Sequence, residues 1–148
     1  MSVQQEVMNK MKEAMKSKDT VALTALRALK SAFMLAKTEA GAGELSSEQE
    51  LKIIQKQVKQ RKDSAEVFVS QNRQDLADPE LAEAKVLEQF LPEALSEEAI
   101  AEVVVAVIAE VNAEGMKDMG KVMGIVSKKL AGQADGKTIS TIVKQKLA

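Results

Sequence analysis

The side chains best placed to do chemistry lie near the C-terminal end, and the chemistry they suit is phosphate contact. Gly120, Lys121, Gly124, Ser127 and Lys128 fall on the side of a predicted helix opposite its apolar stripe of Met119, Val122, Met123, Val126 and Leu130. In the next predicted helix Lys137 and Lys144 stand seven residues apart, with Ser140 and Thr141 between them. They lie opposite Ile139, Ile142, Val143 and Leu147. The turn Gly132-Gln133-Ala134-Asp135-Gly136 joins the two helices and feeds the N-terminus of the second. Ammonium groups, hydroxyl donors, glycine backbone and a helix N-terminus are the ingredients of an anion site.

An exposed glycine inside a helix costs roughly 0.5–1 kcal/mol relative to alanine, so two on one outer face call for a reason. Two readings fit. An RNA or phosphate backbone comes close to Gly120, Lys121, Gly124, Lys128, Gly136, Lys137 and Lys144, or the glycine face packs against the N-terminal half and the lysines are simply solvated. Such a face has no aromatic platform, so an RNA ligand would be held by shape and backbone rather than by base stacking.

A second basic group stands in the N-terminal half. Arg27 and Lys30 fall on the apolar arc of one predicted helix and Arg61 on that of the next. Either they frame an anion pocket between helices, or they pair with acids such as Asp63, Glu66 or Glu83, because a cation at a helix margin needs a partner or a route to water. Lys52, Lys56 and Lys59 form a separate solvated stripe.

No catalytic constellation accompanies these groups. The 148 residues contain no His, Cys, Tyr or Trp, which excludes cysteine nucleophiles, Ser-His-Asp triads, histidine-ligated metals and disulfides. No Walker-type phosphate loop is present, and no carboxylate interrupts an apolar run in a way that suggests a raised pKa. Neither a metal nor a cofactor is expected. No apolar run approaches the roughly 18–20 residues of a membrane span, and Met1–Glu6 lacks the pattern of a secretory signal, so a cytoplasmic protein is expected.

Net charge is −1, but residues 1–74 carry 13 Lys/Arg against 9 Asp/Glu, residues 75–115 carry 1 against 11, and residues 116–148 carry 7 against 2. That alternation means either a basic surface for an anionic partner or segments of opposite sign pairing within the molecule.

The elements that must hold these groups read as helices throughout. Aromatic residues make up 2% of the chain, so the core is aliphatic and methionine-rich, as helix-on-helix packing prefers. Ser2 caps a first helix striped by Val3, Val7, Met8, Met11 and Met15. Asp19 opens a second, carrying Leu23, Leu26, Phe33 and Met34, which Gly41 and Gly43 end. A capping box, Ser46 with Gln49 or Ser47 with Glu50, opens a third along Leu51, Ile54, Val58, Ala65 and Phe68. Asp78-Pro79 starts a fourth, with Leu81, Val86, Leu87 and Phe90, stopped by Pro92. The valine-rich run from Ile100 to Ile108 tempts a strand assignment. However, Ile100, Val103, Val104, Val107, Ile108 and Val111 keep helical spacing between a Ser96 cap and a Gly115 stop. Asp118 caps the sixth helix. The expected fold is all-α, with a four-helix domain over 1–92 and a three-helix domain over 96–148.

Several of these segments resemble the GatB/YqeY family. Met119-Gly120-Lys121-Val122-Met123-Gly124, Gly132-Gln133-Ala134-Asp135-Gly136-Lys137 and Ile142-Val143-Lys144 are similar to the C-terminal tail of GatB, a subunit of the amidotransferase that amidates misacylated tRNA. Leu26-Arg27-Ala28-Leu29-Lys30-Ser31-Ala32, Lys59-Gln60-Arg61-Lys62-Asp63-Ser64, Arg73-Gln74-Asp75-Leu76-Ala77 and Phe90-Leu91-Pro92 look like YqeY proteins. The chain departs from that pattern with Phe90 in place of Tyr and Asn72 in place of Gly. The resemblance implies a YqeY-like helical body and a GatB-like tail, with tRNA or another structured RNA and amidotransferase subunits as partners. It implies an accessory protein whose catalytic partners lie elsewhere. Two alternatives stay open: the carbon–nitrogen ligase activity with glutamine as amido-nitrogen donor that the family label carries, and a helical protein-interaction module using the acidic 75–115 stretch.

Overall fold

The computed structural model describes residues 2–39, 41 and 43–148. Among them are seven α-helices and no strand: α1 (Val3–Ser17), α2 (Thr20–Glu39), α3 (Ser47–Ser70), α4 (Gln74–Glu88), α5 (Glu97–Val111), α6 (Met119–Lys129) and α7 (Gly136–Leu147). The chain divides into two compact units, Met1–Leu91 and Pro92–Ala148.

Short polar side chains begin most helices. Ser2 and Ser46 each form a full capping box, with Gln5 and Gln49 returning the hydrogen bond to the cap N–H. Ser46–Gln49 is therefore the pair that opens α3, and Glu50 is left for another use. Ser96 accepts from the Ala99 N–H and Asp135 from the Thr138 N–H at 2.6 Å. The valine-rich segment is helical, and its stripe supplies Ile100, Val104 and Val107 to the core.

Helix ends follow one recurring device. At Lys18, Asn72 and Asn112 the backbone turns left-handed, with φ of 58°, 59° and 53°. At each, the following N–H reaches back five residues to a carbonyl: Asp19 to Ala14, Arg73 to Phe68 and Ala113 to Ile108. These are Schellman ends, usually made by glycine. The left-handed Asn72 accounts for the family's preference for Gly at that position, since asparagine tolerates this region better than most residues.

The same device moves two boundaries. Because Asn112 ends α5, the helix stops three residues short of Gly115. Because Asn72 turns the chain so tightly, Arg73 becomes the N-cap of α4, and Pro79 lies inside the helix rather than at its first position. The Arg73 carbonyl accepts from Leu76 and Ala77, and the Gln74 amide donates to Asp78 at 2.6 Å, so the first turn is held without the proline. Asp118 also departs from its expected role: its carboxylate accepts from the Glu114 N–H at 2.9 Å, bracing the 3₁₀ turn Met116–Asp118 that precedes α6, and it does not cap α6 with its side chain.

In the N-terminal unit α2 packs against α1, α3 and α4, and α3 pairs with α4 as a long hairpin. Leu26, Leu29, Phe33, Ile54, Leu87 and Phe90 are buried in its core. The methionine stripe is shallower than its spacing suggests: Met8, Met15 and Met34 are 39%, 51% and 58% exposed, and Val7 and Ala14 take the buried positions on α1. In the C-terminal unit α5, α6 and α7 all pack on one another. The Leu95 N–H donates to the Gln133 carbonyl at 3.0 Å, which sets the starts of α5 and α7 side by side. Val104, Val107, Val122, Val126, Ile139 and Val143 form the centre.

Candidate nucleic-acid interface

Burial of Val122, Val126 and Leu130 turns the opposite side of α6 outward. At about 100° per residue, Gly120, Gly124 and Lys128 run along that outer side with Lys121 beside them, and all four are exposed. A Cβ added to Gly120, Gly124 or Gly136 meets no heavy atom within 4 Å. No steric demand of the C-terminal unit therefore requires glycine there. On α7 the inward Ile139, Ile142, Val143 and Leu147 leave Gly136, Lys137 and Lys144 exposed.

Cross-helix contacts orient these faces around the three-helix unit. Lys129 reaches Glu110 of α5 at 3.4 Å, which marks that margin of α6 as the α5 side. The opposite margin, with Ser127 and Gly120, lies toward α7. On α7, Lys137, Thr138, Thr141, Ile142 and Gln145 line a shallow groove of about 190 Å³ together with Glu97 of α5. Ser140 and Lys144 lie toward α6. The glycine face and Lys144 thus border one furrow, with Lys121 and Lys128 on its far rim, while Lys137 leans toward an acid.

Charge in this unit is segregated by helix. Helix α5 carries Glu97, Glu98, Glu102 and Glu110 and no Lys or Arg. From Met119 to Ala148 there are six lysines and one aspartate. Beyond Lys129–Glu110 and the local Lys117–Glu114 contact, no ion pair occurs in this unit among the described residues, so Lys121, Lys128, Lys137, Lys144 and Lys146 stay unpaired. At the start of α7 the Asp135 carboxylate takes the Thr138 N–H, so the helix end itself already faces a negative charge.

The N-terminal candidates differ from one another. Arg61 sits between α3 and α4: its Nε donates to Glu83 at 3.3 Å and its Nη1 to the Gln57 side chain at 2.8 Å and carbonyl at 3.1 Å. Its side chain is 12% exposed and that of Glu83 17%. Arg27 is exposed and Lys30 half-buried, and neither makes an ion pair among the described residues. Asp63 pairs instead with Lys59 at 2.9 Å and Glu66 is exposed.

Two features escaped the sequence reading. Glu50 is buried, accepting from the Gln4 amide at 3.1 Å and so tying the start of α3 to α1. Its place four residues before Ile54 and eight before Val58 was the available signal. At the α3–α4 turn, the Arg73 guanidinium clasps Asp75 through contacts of 3.1 and 3.0 Å. That hydrogen bond holds the Asp75 carboxyl below its ordinary range. Among the described residues no group of three or more acids is placed to hold a metal ion, and no helix is long and apolar enough to cross a membrane.

Known proteins share this pattern of helices and lysines. The family model for YqeY-like proteins matches residues 4–147. The chain belongs to the YqeY-like family. The match runs through both units of this YqeY-like chain. A curated relative, a glutamyl-tRNA(Gln) amidotransferase subunit of Thermococcus gammatolerans, is 38% identical over 73 residues. That stretch is 47% of this chain and 12% of the relative, so the YqeY-like chain matches only a small part of the larger protein.

Proposed function

We propose that this chain is an RNA-binding accessory protein of tRNA amidation, holding tRNA or another structured RNA on the outer faces of α6 and α7. The observation that carries the reading is the set of unpaired, exposed lysines on those two helices, set apart from the acids of α5. The partial likeness to a tRNA amidotransferase subunit supports amidotransferase subunits as its protein partners. The bond-making steps belong to those partners.

Retention of tRNA in a low-salt gel shift tests the proposal. Replacing Lys121, Lys128 and Lys137 together by Glu reverses three charges and is expected to abolish retention. Absence of retention by the unaltered chain would overturn the reading. Ammonia release from glutamine by the purified chain, supplied with ATP and mischarged tRNA, would replace it with the ligase reading.

A further inference from the structure

The kinds of side chain present in the C-terminal unit, and those missing from it, also bear on how an RNA is read. Residues 92–148 contain no arginine and no aromatic residue; all seven of their cations are lysines. The three phenylalanines lie in the N-terminal unit, with Phe33 and Phe90 buried and Phe68 half-buried. Stacking on exposed bases needs an aromatic ring or a guanidinium plane, and neither is available here. The commonest specific base contact uses a bidentate fork, which arginine presents as a rigid plane and lysine only as a point charge.

The lysines are instead arranged as charges that follow a backbone. Lys121 and Lys128 on α6 are seven residues apart, as are Lys137 and Lys144 on α7. At 1.5 Å per residue each pair spans roughly 10 Å along its helix. All four are exposed and unpaired among the described residues. Between the rows the surface is low, made by Gly120, Gly124, Ser127 and Ser140. On the remaining side of the unit, α5 turns Glu98, Glu102 and Glu110 to solvent, which repel a polyanion.

Building on the RNA-binding reading above, we infer that this unit holds double-helical RNA by its phosphate backbone alone and does not read base sequence. A duplex presents its phosphates as a preformed, rigid array. A single strand must be ordered on the surface, and with no stacking platform nothing offsets that entropy. Lys137 is the weakest of the four contacts, because Glu97 shares its groove.

Fluorescence anisotropy with the full chain separates this inference from the reading it rests on. Three labelled RNAs of equal length are titrated at 50 mM salt: a tRNA transcript, an unrelated perfect hairpin and polyuridine. The tRNA and the hairpin are expected to agree within threefold and polyuridine to bind at least tenfold more weakly. Four neutralised phosphates give a slope of log affinity against log salt of about −3.6, and Lys121→Met, Lys128→Met and Lys144→Met each reduce it by about 0.9 on both structured RNAs alike. Glu97→Gln tightens binding of both. Binding of tRNA with a hairpin at least tenfold weaker, or polyuridine equal to the hairpin, would overturn backbone-only recognition and leave RNA binding standing. No binding to any of the three would overturn both.

Discussion

Basic residues meet two different fates in the two units. On α3, Arg61 points along the hairpin seam and finds Glu83 and Gln57 there, and Lys62 reaches Glu88 at 2.6 Å across the same pair of helices. On α6 and α7, lysines at comparable helical spacing turn away from the acidic α5, and among the described residues only Lys129 crosses to an acid on another helix. The residue types barely differ. What differs is the angle each position makes with the nearest helix interface, and whether the neighbouring helix supplies a carboxylate at that level. A cation inside a seam is committed to the fold. A cation on an outer face costs the fold nothing and remains available to a ligand.

The strongest way to break this contrast is to remove one cation from each class. Arg61→Met takes the ion-pair partner from a Glu83 that is 17% exposed and leaves Gln57 without its donor, so urea unfolding is expected to show a loss of about 1–3 kcal/mol. Lys128→Met is expected to stay within about 0.5 kcal/mol of the parent in the same measurement. RNA affinity should show the reverse order, falling for Lys128→Met and holding for Arg61→Met. Equal destabilisation by both variants would sink the distinction.

Glycine sharpens the comparison from the other side. No packing in the C-terminal unit opposes a methyl group at Gly120 or Gly124, so alanine at either position is expected to stabilise the chain by about 0.5–1 kcal/mol. If a phosphate backbone comes close to this face, the double alanine variant binds RNA more weakly while melting higher. A rise in melting temperature with unchanged affinity would mean that the glycines have no part in binding.

Most of the fold was legible because helices announce themselves locally. Ser2 and Ser46 stood three residues ahead of Gln5 and Gln49, and the valines of α5 kept a period that no strand keeps. The errors came where one local signal outranked another. Asp78-Pro79 looks like a helix start, but the left-handed turn at Asn72 had already begun α4 five residues before the proline. Gly115 looks like a stop, but Asn112 takes the left-handed position first. The site was legible in part: the exposure of Lys121, Lys128, Lys137 and Lys144 follows from spacing alone. That Lys137 shares a groove with Glu97, or that Arg61 meets Glu83 rather than Asp63 or Glu66, depends on the register between helices distant in sequence. No pattern within a single helix encodes that register.

The left-handed helix ends supply a smaller test, independent of charge pairing. Lys18 is not a residue that favours φ near 58°, whereas Asn72 and Asn112 tolerate it. Glycine at 18 is expected to raise stability by about 0.5–1 kcal/mol and glycine at 72 by less, read from urea midpoints.

The Arg73–Asp75 pair is the intermediate case, paired like the seam residues and exposed like the lysines of α6. Its effect should be the smallest, because water competes for both partners. The arginine lowers the Asp75 pKa, so whatever stability the pair contributes is complete above the ordinary aspartate value of about 3.9 and is lost as pH falls through the depressed folded value. A carbon-detected NMR titration should find the Asp75 midpoint below that of a free aspartate, and Arg73→Gln should return it upward. The urea midpoint at neutral pH should scarcely move in the same variant. A large loss of stability would mean that pairing alone commits a charge to the fold. An unmoved Asp75 midpoint would mean that the exposed contact is not maintained in solution, and that burial in the seam is what separates Arg61 from the lysines left free on α6 and α7.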